Sequence, residues 1–206
     1  MTKPLGMILA GGLSSRMGGG DKGLLQLGGR TLLQRVIDRL APQVEAVALN
    51  ANGDTTRFSN FGLPVLPDSM EGFPGPLAGV LAGLDWAASQ GAESIVTAAA
   101  DTPFFPHDLV ERLLEEAGDM PVPLVLAASR DEKGKLWRQP TFGLWPVSLR
   151  NDLRVALQDG LRKVVLWTDG HGGRLAEFDS TGGDPFFNVN TPEDLQQAKA
   201  MLEMSG

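Results

Sequence analysis

A glycine-rich stretch that also carries two cations covers residues 9–22. Glycine has no side chain, so backbone amides in such a stretch can approach and face a bound anion. Arg16 can hold phosphate oxygens in a two-pronged contact, whereas Lys22 supplies a mobile point charge. The apolar residues 5–10 immediately before it predict a short buried strand, so the glycines begin where a strand ends. The stretch therefore predicts a loop that binds a polyphosphate.

Two other phosphate-binding loops do not fit this stretch. Residues 18–23 have the spacing G-x-G-x-x-G of dinucleotide-binding folds, but they start seven residues beyond the predicted strand. They also lead into a short apolar run and a Gly-Gly turn, where the Rossmann pattern requires a helix. The Walker pattern requires Ser or Thr after its lysine, and here Gly23 follows Lys22.

Three polar residues follow apolar runs further along the chain, namely Asn50, Asp68 and Asp101. Ligands of open parallel sheets bind at the carboxyl ends of strands, so these positions suit contacts with a nucleotide. Magnesium prefers hard oxygen ligands and is commonly held by one or two carboxylates together with substrate phosphates, so Asp101 suffices as its protein ligand. From the residues alone, a turn or capping role remains open at each position.

Composition limits the classes of protein to consider. The 206 residues, 42% of them hydrophobic, fit one globular domain, and the lack of cysteine excludes disulfides and thiolate chemistry. A net charge of −7 argues against nucleic-acid binding. No apolar run approaches the length of a membrane span, so a soluble cytoplasmic protein without membrane contact is expected.

One region is locally basic, because residues 130–174 contain nine Lys or Arg against five Asp or Glu. Two interpretations stay open: an ordinary solvated surface, or a docking site for a second, anionic substrate.

The elements that would position these residues alternate between strands and helices. Apolar patterns predict strands at 44–49, 94–100, 124–128 and 140–145. They predict helices at 31–41, 106–116 and 148–157, and two further helices that begin at residues 76 and 192. Residues 164–167 fit either type. Thr31 and Thr191 are predicted helix caps.

The ordered motifs resemble those of a known family. They comprise Leu9, Ala10, Gly11 and Gly12, then residues 15–18, 21–22, 50, 67–68, 74–79, 101–103 and 188–194. This set is similar to the nucleotidyltransferases of the glycosyltransferase-A-like fold, and within them to the molybdenum cofactor guanylyltransferases. The resemblance implies an α/β three-layer sandwich with a mostly parallel Rossmann-like sheet and helices on both faces. It implies a single domain over residues 1–206, with about 1–105 binding the nucleotide and about 106–206 the acceptor.

The same resemblance implies an activity: Mg²⁺-dependent transfer of GMP from GTP to the terminal phosphate of molybdopterin. It implies transient contacts with proteins of molybdenum cofactor biosynthesis or with proteins that accept the cofactor. The implied catalytic residues are Arg16, Lys22 and Asp101, with Asp101 as metal ligand. The implied nucleotide-binding residues are Leu9, Ala10, Gly11, Gly12, Lys22, Asn50, Asp68 and Asp101. The implied acceptor-binding residues are Arg162, Lys163, Asn188 and Asn190, and which of the adjacent Arg and Lys contacts the pterin stays open.

Two alternative functions are retained. The related cytidylyltransferases have a sequence similar to Leu-Ala-Ala-Gly at the loop entrance. This chain has Gly11 at the position of the second alanine. An added methyl group would change how the backbone meets the base, so Gly11 favours guanine. A non-catalytic GTP-binding adaptor in cofactor delivery is the second alternative.

Overall fold

The strands build one large sheet. The computed structural model describes residues 2–11, 21–70, 72, 75–181 and 183–204. The strands are β1 (Leu5–Leu9), β2 (Gln26–Leu27), β3 (Arg30–Thr31), β4 (Val47–Asn50), β5 (Val65–Leu66), β6 (Ser94–Ala99), β7 (Val125–Arg130), β8 (Leu136–Pro146) and β9 (Arg174–Phe178). In the described part of the chain, seven of them form a sheet in the order β5-β4-β1-β6-β8-β7-β9, and β2 and β3 form a small hairpin. Within the described seven-stranded sheet, β8 alone runs antiparallel to both of its neighbours, so the predicted mostly parallel sheet is confirmed.

Helices cover both faces of this sheet. They are α1 (Leu32–Leu40), α2 (Pro76–Ser89), α3 (Leu109–Ala117), α4 (Arg150–Gln158), α5 (Val164–Gly170) and α6 (Pro192–Met204). The apolar sides of α1 and α3 belong to one buried cluster, and those of α2, α4 and α5 belong to a second cluster on the opposite face. The three-layer arrangement is therefore confirmed. None of the helices in the described ranges combines the length and apolar character needed to cross a bilayer.

Both predicted helix caps are present. The Thr31 hydroxyl accepts a hydrogen bond from the Gln34 amide at 3.0 Å and begins α1. The Asp194 amide donates to the Thr191 hydroxyl at 3.1 Å, and the Asp194 carboxylate accepts from the amides of Asn190 and Thr191, each at 2.8 Å. This reciprocal capping fixes the segment before α6.

Some elements differ from the sequence-based expectation. Residues 164–167 open helix α5, and α3 begins at Leu109, three residues after the predicted start. Strand β9 had no predicted counterpart, and it pairs in parallel with β7. Exposed Arg174 and Glu177 interrupt its five residues, so the sequence shows no continuous apolar run there.

Candidate functional site

Three polar side chains from distant parts of the chain meet at the carboxyl end of β6. Asp101 follows β6, Lys22 opens a 3-10 helix (Lys22–Leu24), and Asn190 precedes α6. The Lys22 ammonium lies 3.6 Å from an Asp101 carboxylate oxygen and donates a 2.5 Å hydrogen bond to the Asn190 side-chain oxygen. The structure thus brings together three of the residues that sequence reasoning selected.

Backbone packing explains how these side chains meet. A Cβ on Gly23 would lie 3.3 Å from the Cβ atoms of Ala100 and Leu33, so a larger residue would crowd the 3-10 helix against β6. The Val189 amide donates to the Asp101 carbonyl at 2.9 Å, which ties the segment before α6 to the end of β6. Val189 is fully buried, whereas Asn188 is exposed.

The environment of Asp101 opposes its charge. Burial raises the pKa of Asp101, while the Lys22 ammonium and hydrogen bonds act in the opposite direction. The side chains of Asp101 and Lys22 are each only 19% exposed. A further cation beside this carboxylate would stabilise its charged form.

The ends of β4 and β5 carry a second cluster. The side-chain amide of Asn50 donates to the Asp68 carboxylate at 2.9 Å, and that of Asn52 donates to the other carboxylate oxygen at 2.7 Å. The Asp68 amide donates back to the Asn52 side chain at 2.9 Å. Asp68 is half-buried and Asn50 is 4% exposed, so the carboxylate has a fixed orientation.

The described start of the glycine-rich stretch borders this cluster. The Ala10 amide donates to the Asn50 carbonyl at 2.9 Å. Gly11 is exposed, and a Cβ atom added to it would lie 4.0 Å from the Asn50 side-chain oxygen. A Cβ on Gly79, near the start of α2, would lie 2.2 Å from the same oxygen and 2.8 Å from Leu9. The absence of a side chain at Gly79 is what lets α2 approach the end of β4.

Several predicted residues do not join these clusters in the described structure. Gly12 and Arg16 lie outside the described residues. Arg162 and Lys163 are exposed in the connection between α4 and α5.

The locally basic region proves to be rich in ion pairs. Arg154 donates to Asp85 on α2 at 2.7 and 2.8 Å, and Arg138 contacts Asp169 at 2.7 Å. The other pairs are Arg130 with Glu177, Arg150 with Asp85, and Arg174 with Asp119. These five arginines neutralise acids, so the structure favours the ordinary-surface interpretation for them. His171 contacts Asp152 at 2.7 Å and packs on Trp167, and its side chain is 27% exposed.

Sequence reasoning missed Arg57, in the 3-10 helix Thr55–Phe61. Its guanidinium binds the carboxylate of Asp21, directly before Lys22, and donates to the Asn52 carbonyl at 2.9 Å. Arg57 therefore connects the Lys22 segment to the residue that orients Asp68. Only contacts between distant parts of the chain reveal it, because no motif surrounds this arginine.

We expect Arg57→Ala to weaken nucleotide binding, because both clusters lose their shared support. Charge-assisted hydrogen bonds contribute about 1.5–3 kcal/mol each, so an increase of about tenfold in KM for the nucleotide is expected. Steady-state kinetics would measure it, with Arg30→Ala as control, since Arg30 pairs with Asp38 on the exposed side of α1. An unchanged KM for the nucleotide would show that Arg57 has only a structural role.

Solved structures of other proteins share this fold. The crystal structure of a molybdopterin-guanine dinucleotide biosynthesis protein A from Archaeoglobus fulgidus superimposes with a TM-score of 0.69 at 22% identity, covering 97% of this chain and 99% of that one. A CMP:2-keto-3-deoxy-manno-octonic acid synthetase complexed with CTP gives a TM-score of 0.75 at 16% identity over the full length of both chains. The molecule thus belongs to the same class of α/β fold as these two proteins.

Sequence comparison identifies the family within that class. The model of the MobA-like NTP transferase domain matches residues 6–171. A molybdenum cofactor guanylyltransferase of Mesorhizobium japonicum is 51% identical over 203 residues, covering 96% of this chain and 95% of that protein, and one of Cereibacter sphaeroides is 47% identical over 197 residues, covering 96% of each. The chain belongs to the MobA-like NTP transferase family, and the family resemblance drawn from the motifs is confirmed.

Proposed function

We propose that this protein transfers GMP from GTP to the terminal phosphate of molybdopterin, forming molybdopterin guanine dinucleotide and pyrophosphate. The observation that carries the proposal is the Lys22, Asp101 and Asn190 centre at the carboxyl end of β6. The sequence is about 50% identical to molybdenum cofactor guanylyltransferases over almost its whole length. In such a chain, this centre would supply charge at the place where the phosphates react.

The guanosine end of GTP is assigned to the cluster at β4 and β5. A carboxylate can accept about four hydrogen bonds, and Asn50 and Asn52 occupy two of those positions on Asp68. The remaining lone pairs of Asp68 can accept from N–H or hydroxyl groups of guanosine. The backbone of Leu9, Ala10 and Gly11 lies against the same cluster and supports the assignment.

The chemistry is one of positioning and charge neutralisation. The terminal phosphate of the acceptor attacks the α-phosphorus of GTP, a new P–O bond forms, and the bond to pyrophosphate breaks. Lys22, and Arg16 from the glycine-rich stretch, stabilise the charge that develops on the transferred and leaving phosphates.

Asp101 is the residue proposed to hold Mg²⁺. In the described ranges no group of three or more His, Asp or Glu side chains gathers as a metal site. A single carboxylate beside substrate phosphates nevertheless fits the hard-oxygen preference of Mg²⁺. Burial raises the pKa of Asp101, so a cation at the carboxylate would favour its charged form. When bound there, the metal would neutralise charge on phosphate oxygens.

The second half of the chain is proposed to bind the acceptor. This assigns about residues 1–105 to the nucleotide and about 106–206 to molybdopterin within one domain. Asn190 already contacts the centre, and Asn188, Arg162 and Lys163 remain proposed acceptor ligands. The proposal includes transient contacts with proteins that supply or receive the cofactor.

A single assay tests the activity and its alternatives. Pyrophosphate release is measured from GTP, and separately from CTP, with Mg²⁺ and with molybdopterin present or absent. We expect release from GTP only with molybdopterin present. Preference for CTP would favour the cytidylyltransferase alternative and contradict the role given to Gly11. GTP binding without release from either nucleotide would favour the adaptor.

We expect Asp68→Asn to weaken GTP binding while leaving catalysis largely intact. An amide nitrogen would replace one carboxylate oxygen and face the N–H donors of Asn50 or Asn52, so the cluster loses its orientation. Loss of a charge-assisted hydrogen bond predicts a KM for GTP increased about tenfold. Asp159→Asn is the matched control, because Asp159 is exposed at the end of α4. A larger loss in kcat than in KM would place Asp68 at the reacting phosphates instead.

A further inference from the structure

A cavity of about 810 Å³ opens beside the start of β8, between the ends of β7 and β9. Its wall includes Ser129, Trp137, Gln139, Thr181 and Asp184. This volume lies within the range of about 300–1,000 Å³ that is usual for small-molecule sites. None of the contacts described above for GTP involves this wall.

Trp137 gives the cavity a fixed flat surface. The side chain is 50% exposed, unlike the buried Trp145 and Trp167. Its indole N–H donates to Asp131 at 3.0 Å, and the Lys135 ammonium lies 3.8 Å from the ring centroid over one face. Trp137 lines the cavity, and because Lys135 covers one face of its ring, a ligand in the cavity can stack only on the other face. A ring held in this way loses little conformational entropy when a ligand stacks on it.

The cavity opens at the same edge of the sheet as the reacting centre. Strand β8 pairs with both β6 and β7 at Gly143, and Trp137 pairs with Ser129 three residues further along β7. Three residues along β6 from the same point is Ala100, directly before Asp101. Since β6 and β7 both run antiparallel to β8, Asp101 and the Ser129 end of β7 lie at the same carboxyl-terminal edge of the sheet, and Trp137 pairs with β7 at that edge.

The order of strands separates this cavity from the guanosine end. Asn50 and Asp68 lie at β4 and β5, the reacting centre lies at β6, and the cavity lies at β8, β7 and β9. A dinucleotide carries its two ring systems on opposite sides of a pyrophosphate. The second ring of the product must therefore lie beyond the centre, on the side of Trp137.

The polar groups of the wall suit a neutral heterocycle better than a phosphate. Arg130 and Arg138 already pair with Glu177 and Asp169. The wall also contains the Gln139 amide and the carboxylates of Asp131, Glu132, Asp179 and Asp184. Carboxylates and a carboxamide together recognise a ring that carries amino and N–H donors beside a carbonyl.

We propose that this cavity holds the fused, flat nitrogen heterocycle of the acceptor, with Trp137 stacked on one face and Gln139 at its edge. The inference rests on the proposed function, because it assigns the ring end of the same acceptor. Stacking of a base on an aromatic side chain is typically large enough that its removal weakens binding by about tenfold or more.

The test compares Trp137→Leu with Trp86→Leu. Trp86 undergoes the same change but lines a different cavity, together with residues at the amino-terminal end of β1. Two measurements are made on the full chain: KM for molybdopterin at saturating GTP, and binding of the free probe 6-hydroxymethylpterin by anisotropy of its own fluorescence. We expect Trp137→Leu to raise KM for molybdopterin and the dissociation constant of the probe about tenfold or more. KM for GTP should stay unchanged, and Trp137→Phe should restore most of both losses.

The outcomes separate this inference from the proposed function. If the wild-type protein transfers GMP to molybdopterin but Trp137→Leu keeps wild-type values for both ligands, the inference is wrong and the function stands. If the wild-type protein transfers no GMP yet binds the probe in a manner that depends on Trp137, the function fails while the ring site stands. Equal losses in Trp137→Leu and Trp86→Leu would overturn the inference, because they would reflect folding.

Discussion

Lys22→Ala is expected to lower kcat by about a hundred- to a thousandfold while leaving the protein folded. The Lys22 ammonium is the described cation nearest to Asp101, and its side chain is 19% exposed, so its charge acts in a partly desolvated site. A positioned donor that stabilises developing charge in such a site typically contributes an effect of that size. The measurement is single-turnover GMP transfer at saturating GTP and Mg²⁺.

Stability should respond far less than activity to the loss of Lys22. The ion pair with Asp101 is 3.6 Å long, and Asn190 is the other described partner of the ammonium. Because both side chains of the pair are largely buried, we expect a loss of about 1–3 kcal/mol, and each kcal/mol lowers the unfolding temperature of a chain of this size by about 2–4 °C. Lys199→Ala, on the exposed side of α6, is the matched control. Near-normal turnover by Lys22→Ala would remove this residue from the catalytic centre.

The positions of the clusters at the ends of β4 and β6 could be predicted from sequence because their signals are local. Asp101 and Asn50 each follow an apolar strand, and parallel strands bring their carboxyl ends to one edge. Asn190 could be placed beside them only through the family motif, since its contact with Lys22 joins residues 168 positions apart.

The parts that sequence could not predict depend on contacts between distant segments. Arg57 has no motif, and its importance becomes visible only when Asp21 and Asn52 are seen on either side of its guanidinium. Trp137 lies outside the predicted strands, and only the pairing of β8 with β7 places it opposite Ser129 at the carboxyl-terminal end of β7. The charge count of the basic region was correct, but charge counts carry no information about pairing, and five of its arginines pair with acids.

Asp101→Asn should affect activity and stability in opposite directions. The amide has nearly the same shape but no charge, so it cannot balance a divalent cation beside the phosphates. We expect GMP transfer to fall by about a hundred- to a thousandfold and to lose its saturable dependence on Mg²⁺. Titration of turnover with Mg²⁺ is the measurement, and Asp119→Asn is the control because its side chain is 95% exposed.

The folded protein without nucleotide or Mg²⁺ should not suffer from the same substitution. Burial raises the pKa of Asp101, which means that the fold disfavours the charged carboxylate. Because the amide has no charge to desolvate, we expect an unfolding temperature equal to or slightly above that of the wild-type protein at neutral pH. A residue kept for stability would show the reverse, namely a less stable protein whose remaining folded fraction turns over normally with the usual response to Mg²⁺. A variant that is more stable than the wild-type protein but inactive would show that the Asp101 carboxylate destabilises the fold and is needed for the reaction.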